Sequence, residues 1–238
     1  SVASVNMATD SADYIARCDA FRRDFPLSEW LESPDGQGFV YMNFYRGYAR
    51  TLYASRQWDK LEEILPEMTY SMLADVYSHG PMFYIMKAPV DPRTYVDIAR
   101  KITAEMWKKK DRDVDMYAAG QIKSGETSMK YYLAVQTEIL QRSGCPEEAV
   151  ACMERINVED RYNQYPAGNE AYVNALKELG REQDAVQAVI GSTAVGRLTP
   201  KMFAMLRTYY NSLEPKPAPT FDAYYSSLKT EKAKENLR

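Results

Sequence analysis

Gly144-Cys145-Pro146-Glu147-Glu148-Ala149-Val150 and Gly180-Arg181-Glu182-Gln183-Asp184-Ala185-Val186 are the two stretches from which the fold is read. They share glycine, an acidic residue, alanine and valine in one register. Gly144 to Gly180 is 36 residues, and so is Ala149 to Ala185. An apolar helical stripe precedes each stretch, ending in Ile139-Leu140 in one and in Leu176 and Leu179 in the other. Another follows, carrying Met153 and Ile156 or Val189 and Ile190. Glycine just past an apolar stripe is a helix stop, because it takes the left-handed conformation that closes a helix without steric cost. The unit is helix, turn, helix, and it occurs twice.

The same periodicity extends outward in both directions. Phe39, Met42, Phe44, Tyr45, Tyr48 and Leu52 recur at threes and fours, with Asn43, Arg46 and Arg50 off that face. Leu61, Ile64, Leu65, Met68, Met72 and Val76 form a second stripe after Trp58, and Ile98, Ile102 and Met106 a third. Asp91-Pro92 marks the start of that third helix, and Thr199-Pro200 opens Met202, Phe203, Leu206, Tyr209 and Tyr210. In both, an N-cap acceptor precedes a proline at the first helical position. No stretch alternates cleanly as a strand would, and Tyr84-Ile85-Met86 is too short to assign. The expected class is all-α, with about a dozen helices. Breaks are expected at 33–38, 79–81, 87–89, 124–125, 144–146, 165–168, 191–192 and 196. A stiff extended connector follows at Pro215-Lys216-Pro217-Ala218-Pro219.

The paired stretches resemble the tetratricopeptide repeat, a helix-turn-helix unit with a common period of 34 residues. Gly144 and Gly180 match its turn glycine, and Ala149 and Ala185 the small residue that lets the second helix approach the first. The resemblance implies a right-handed α-α superhelix of stacked pairs. Trp58-Asp59-Lys60-Leu61-Glu62-Glu63-Ile64-Leu65 fits a degenerate copy with Leu61 at the alanine position, and Lys109 to Val114 with Ala118 fits less well. The repeat's consensus tryptophan, first-helix glycine and terminal proline are absent from the two best copies. A non-repetitive helical bundle is the alternative. The expected division is 1–126 as degenerate repeats, 127–214 as tetratricopeptide-like repeats, and 215–238 as proline linker and C-terminal helix.

That last helix, Phe221-Asp222-Ala223-Tyr224-Tyr225-Ser226-Ser227-Leu228-Lys229 and the charged 231–238, has no C-cap glycine. It resembles the helical stretch before the thioredoxin-fold domain of TlpA-like thiol-disulfide oxidoreductases. The resemblance implies a periplasmic or envelope location and a further domain carrying a Cys-x-x-Cys pair; a cytoplasmic location is the alternative. The small, polar opening from Ser1, without a hydrophobic leader core, fits a segment beyond a cleavage site. Cys18, Cys145 and Cys152 do not fit the redox pattern, so no catalytic residue transfers.

Composition narrows the function further. The 238 residues hold 30 Lys plus Arg against 33 Asp plus Glu, a net charge of -3, which offers nucleic acid no electrostatic footprint. No apolar run approaches 18 residues, so no transmembrane helix is expected. With three cysteines and one histidine, His79, neither a disulfide framework, a metal site nor a nucleophilic triad has its residues. His79 reads as a helix-terminal residue, and the mixed run Lys108-Lys109-Lys110-Asp111-Arg112-Asp113 as a solvated turn. No cofactor is expected. The expected function is a non-catalytic interaction or scaffold domain that contacts a protein, a peptide or its own further domain. A stand-alone peptide-binding repeat protein is one alternative, and an enzyme with its site in a helical cleft is another. Repeats of this kind bind through outward positions of the first helix in each pair. That register selects Tyr131, Glu138, Gln141 and Arg142 in one copy and Asn174 and Lys177 in the other. An enzyme would have only adjacent acids such as Glu62-Glu63 or Glu147-Glu148, which point about 100° apart on a helix.

Overall fold

The computed structural model describes residue 5 and residues 7–26, 38–83, 91–112 and 126–229. The breaks at 33–37, 87–89 and 124–125, the tripeptide 84–86, Val114, Ala118 and the tail 231–238 lie outside the described residues. Helices and short 3-10 turns make up the regular structure among the described residues, with no strand. These divide into two compact units, one within Ser1–Val90 and Asp97–Met129, the other within Asp91–Val96 and Lys130–Arg238.

The first unit is built from α1 (Ser11–Asp24), α2 (Gly38–Ala54), α3 (Trp58–Ile64), α4 (Tyr70–His79) and most of α5 (Val96–Lys109). Asp10 caps α1 by accepting from the Ala12 and Asp13 amides at 2.9 Å. Ile15, Cys18 and Phe21 of α1 are buried, as are Phe44, Tyr45, Tyr48 and Leu52 of α2, and the Phe21 and Phe44 rings meet at 4.7 Å. The stripe from Leu61 to Val76 is two helices rather than one. Pro66 has no amide to continue α3, a 3-10 turn (Leu65–Glu67) follows, and Thr69 starts α4 by accepting from the Met72 amide at 3.3 Å. Lys109 is likewise more than a solvated charge. Its ammonium is half-buried and donates to the carbonyls of Leu65, Pro66 and Met68, where that 3-10 turn ends. Asp91 does cap, but what it opens is a 3-10 turn (Pro92–Thr94), and α5 begins at Val96.

The second unit takes α6 (Glu126–Arg142) from Lys130 onward, then α7 (Pro146–Glu154), the single turn α8 (Val158–Arg161), α9 (Pro166–Glu178), α10 (Glu182–Ala194), α11 (Pro200–Ser212) and α12 (Phe221–Ser227). Packing runs α7 on α9, α9 on α10, α10 on α11 and α11 on α12. Gly144 and Gly180 take φ of 78° and 72°. The amide after each glycine reaches back across the turn, Cys145 to the Leu140 carbonyl at 3.0 Å and Arg181 to the Leu176 carbonyl at 2.8 Å. These are the bonds of a glycine-closed helix end. The same closure recurs at Gly196, φ 70°, with Arg197 bonded to the Ser192 carbonyl. It also recurs in the first unit without glycine. Arg56 takes φ 55° and the Gln57 amide reaches the Leu52 carbonyl at 2.9 Å. Arg56 precedes Leu61 by the interval at which Gly144 precedes Ala149 and Gly180 precedes Ala185. Leu61, Ala149 and Ala185 are all buried.

Two glycines expected at breaks lie inside helices. Gly168 is in the first turn of α9, where a Cβ would lie 2.9 Å from the Ala134 carbonyl carbon, 3.0 Å from the Ala134 Cβ and closer still to the Ala134 oxygen. Gly191 lies within α10 under the Tyr162 ring, 2.5 Å from a would-be Cβ. Beyond α11, the proline segment is held down rather than free. The Tyr210 hydroxyl donates to the Ala218 carbonyl at 2.7 Å, and the Phe221 and Tyr225 rings of α12 lie 5.3 and 5.2 Å from Phe203.

Candidate functional site

Tyr131, Glu138, Gln141 and Arg142 recur at sevens, threes and fours on α6, which puts them on one side of that helix. Leu133, Ile139 and Leu140 are buried in the unit's core. Because Gly168 lets α9 come against α6 at Ala134, residues at the start and end of α9 reach this side. The Arg142 guanidinium pairs with Glu138 Oε1 at 3.3 Å, one turn apart. The Tyr165 hydroxyl, just ahead of α9, stands beside the same carboxylate. The Tyr131 and Tyr165 rings meet edge-on at 5.9 Å, and Tyr132 adds a third ring at 5.8 Å from Tyr131. At the other end, Gln141 Nε2 donates to Glu178 Oε1 at 2.7 Å.

Glu138 is the centre of this arrangement. Its side chain is 13% exposed, and Oε2 is shielded from solvent without a hydrogen bond of adequate geometry. Burial pushes its carboxyl above the usual carboxylate range; Arg142 and Tyr165 pull it back, while the charge of Glu170 pushes the same way as burial. Tyr165 is pushed up to about 12, first by burial and then by the neighbouring Glu138. Tyr131 is raised for the same reasons, with Tyr132 ahead of Glu138 among the neighbours. Both phenols therefore stay protonated at neutral pH. Glu170 is itself paired with Lys201 on α11 at 3.1 Å.

The six residues selected from the sequence are only partly brought together. The four on α6 form the cluster. Asn174 is half-buried and Lys177 exposed on α9, and among the described residues neither makes a hydrogen bond or ion pair with those four. Tyr165, Glu170 and Glu178 also stand at the cluster, outside the six that the repeat register selects. A signal for Glu178 existed, since the 36-residue offset maps Arg142 onto it. Nothing local marks Tyr165, which reaches the site only because of where α9 lies.

The chain matches no family model, no curated protein and no solved structure in the comparisons with known proteins.

Glu62 is taken by Lys101 of α5 and Glu63 by Arg22 of α1 at 2.7 Å, so the adjacent acids turn to different helices. Glu147 and Glu148 are exposed in the first turn of α7, where carboxylates offset the helix dipole. Cys18 and Cys152 are buried, and burial raises each thiol to about 12; Cys145 is half-exposed. Among the described residues no three His, Cys, Asp or Glu side chains gather closely enough to hold a metal ion. The Glu138 cluster itself combines one desolvated acceptor, protonated phenols and aromatic edges.

Proposed function

We propose that the chain is a non-catalytic helical interaction module, a right-handed stack of tetratricopeptide-like pairs, and that the face formed by α6 and α9 contacts a protein or peptide. The pairs are α2 with α3, α6 with α7, and α9 with α10; the turn shared by Arg56, Gly144 and Gly180 supports the stack. The observation that carries the functional reading is the Glu138 carboxylate. It sits largely desolvated between Tyr131, Tyr165 and Arg142, with Oε2 left without a bond. A carboxylate in that condition is costly to the fold, which fits a group kept for recognition rather than for stability. In the same reading the module stands ahead of a thioredoxin-fold domain in an envelope thiol-disulfide oxidoreductase, supported by the tract from Phe221 to Lys229. A Cys-x-x-Cys motif encoded after Arg238 is the expected finding for that part.

The face is tested by site-specific photocrosslinking in the native host. A photoreactive residue at Asn174 or Lys177 is expected to give discrete adducts, whereas one at exposed Gln187 on α10 gives none. Adducts at Gln187 alone, or none at any position, sink the assignment.

A further inference from the structure

In the first unit, where α2 packs on α4, charges of one sign collect around a single carboxylate. Arg46 and Arg50 are one turn apart on α2, and Asp75 and His79 one turn apart on α4. The Asp75 side chain is only 12% exposed, and three basic groups turn to it. Arg50 Nη2 lies 2.9 Å from Oδ2, a full charge-assisted hydrogen bond. Arg46 Nε lies 3.4 Å from Oδ1, and His79 Nδ1 lies 3.5 Å from the same oxygen. His79 Nδ1 is better placed on the Asp75 backbone carbonyl, at 2.9 Å. That contact assigns the ring proton to Nδ1 and leaves Nε2 on the opposite edge of a half-exposed ring. Arg46 Nε is shielded from solvent and makes no hydrogen bond within the protein.

One carboxylate does not satisfy these groups. Two guanidiniums against Asp75 leave a surplus of one positive charge, and protonated His79 makes it two. Residues four apart on a helix have Cβ atoms about 5–6 Å apart, so the two guanidinium forks can close on one small anion. A planar carboxylate offers two oxygens, whereas a tetrahedral oxyanion offers a third that can reach the imidazole. We propose that Arg46, Arg50 and His79 form a binding site for a phosphate-type oxyanion, with Asp75 holding the two helices in register beneath it. The site lies in the other unit from the α6–α9 face and does not depend on the reading given to that face.

His79 is the one histidine of the chain, so its ring protons give a single reporter inside the site. The experiment follows the His79 Cε1 proton by NMR during titration with inorganic phosphate, at fixed pH and ionic strength, with acetate as a parallel arm. The parent is expected to show a saturable shift. Arg46→Gln keeps the Arg50–Asp75 pair and hence the helix contact, and is expected to raise the half-saturating concentration about tenfold, as loss of a charge-assisted bond predicts. Asp75→Asn removes the competing anion and is expected to lower it. A linear drift, equal in parent and Arg46→Gln, overturns the site, and so does weaker binding by a folded Asp75→Asn. An acetate response equal to that of phosphate overturns the tetrahedral assignment. Should Arg46→Gln not fold, as read by circular dichroism, Arg46→Lys supplies the comparison by keeping the charge and losing the fork.

Discussion

Replacing Gly168 by alanine tests the contact on which the α6–α9 face depends, and two effects of opposite sign decide the result. Within a helix, alanine is favoured over glycine by about 0.5–1 kcal/mol, because glycine loses more backbone freedom on folding. Taken alone, that would stabilise the variant. The structure puts the new Cβ 2.9 Å from the carbonyl carbon of Ala134 and 3.0 Å from its Cβ, against ordinary contacts of about 3.5–4.0 Å. The obstacle is mainly backbone, so no side chain can turn away and α9 has to lift from α6. Overpacking of this kind costs about 1–3 kcal/mol, which exceeds the propensity gain over most of its range. The expected net effect is destabilisation by about 1–2 kcal/mol, or a fall in Tm of roughly 2–8 °C for a chain of this size. The three tryptophans lie at positions 30, 58 and 107, ahead of the second unit's main segment. Far-UV circular dichroism during denaturant unfolding therefore follows both units, and tryptophan fluorescence follows the first. Gly168→Ala should move the dichroism transition to lower denaturant. A midpoint at or above that of the parent would refute the close approach, and with it the joining of Tyr165 to Glu138.

Other perturbations have equally definite outcomes. Gly180 has φ 72° and open space around it, so Gly180→Val meets backbone strain alone and should cost about 1–3 kcal/mol in denaturant unfolding. Ala185→Leu should cost a similar amount by overpacking a buried position, while exposed Lys177→Ala stays within about 0.5 kcal/mol. Glu138 has its folded pKa raised, so the protonated form favours folding. Its stabilising contribution is complete below the unfolded value near about 4.3 and is lost as pH rises through the folded value. Parent stability measured relative to Glu138→Gln should therefore fall as pH rises from 4 towards neutrality, and an unchanged or rising difference contradicts the burial. Thiol labelling of the native protein at pH 8 should modify Cys145 rapidly and leave Cys18 and Cys152 until the chain unfolds, since burial shields both and raises their thiols to about 12. Rapid modification of all three would show that those cysteines are not buried.

The sequence by itself determined that the chain is helical and where several of its helices stop. Periodicity of apolar residues, the Thr199 cap and the glycines at 144 and 180 act within a turn or two of chain, so their meaning survives without knowledge of neighbours. It also placed four residues of the candidate face on one side of one helix. Only the tertiary structure decided what lies against that side. Gly168 and Gly191 look like breaks because glycine advertises backbone freedom, yet both are helical and are used for the missing Cβ, a role set by Ala134 and Tyr162 from distant parts of the chain. Arg56 is the reverse case, a left-handed turn residue that no glycine announces, held there by the helices on either side. The stripe from Leu61 to Val76 is continuous in burial but broken in backbone, because burial depends on direction in space and helix continuity on the amides at Pro66 and Thr69. Tyr165 meets Glu138, and Arg46 and Arg50 meet Asp75, across distances that local pattern does not encode. Short-range geometry therefore fixes the elements, while the pairing of polar groups from separate helices waits on how those elements pack.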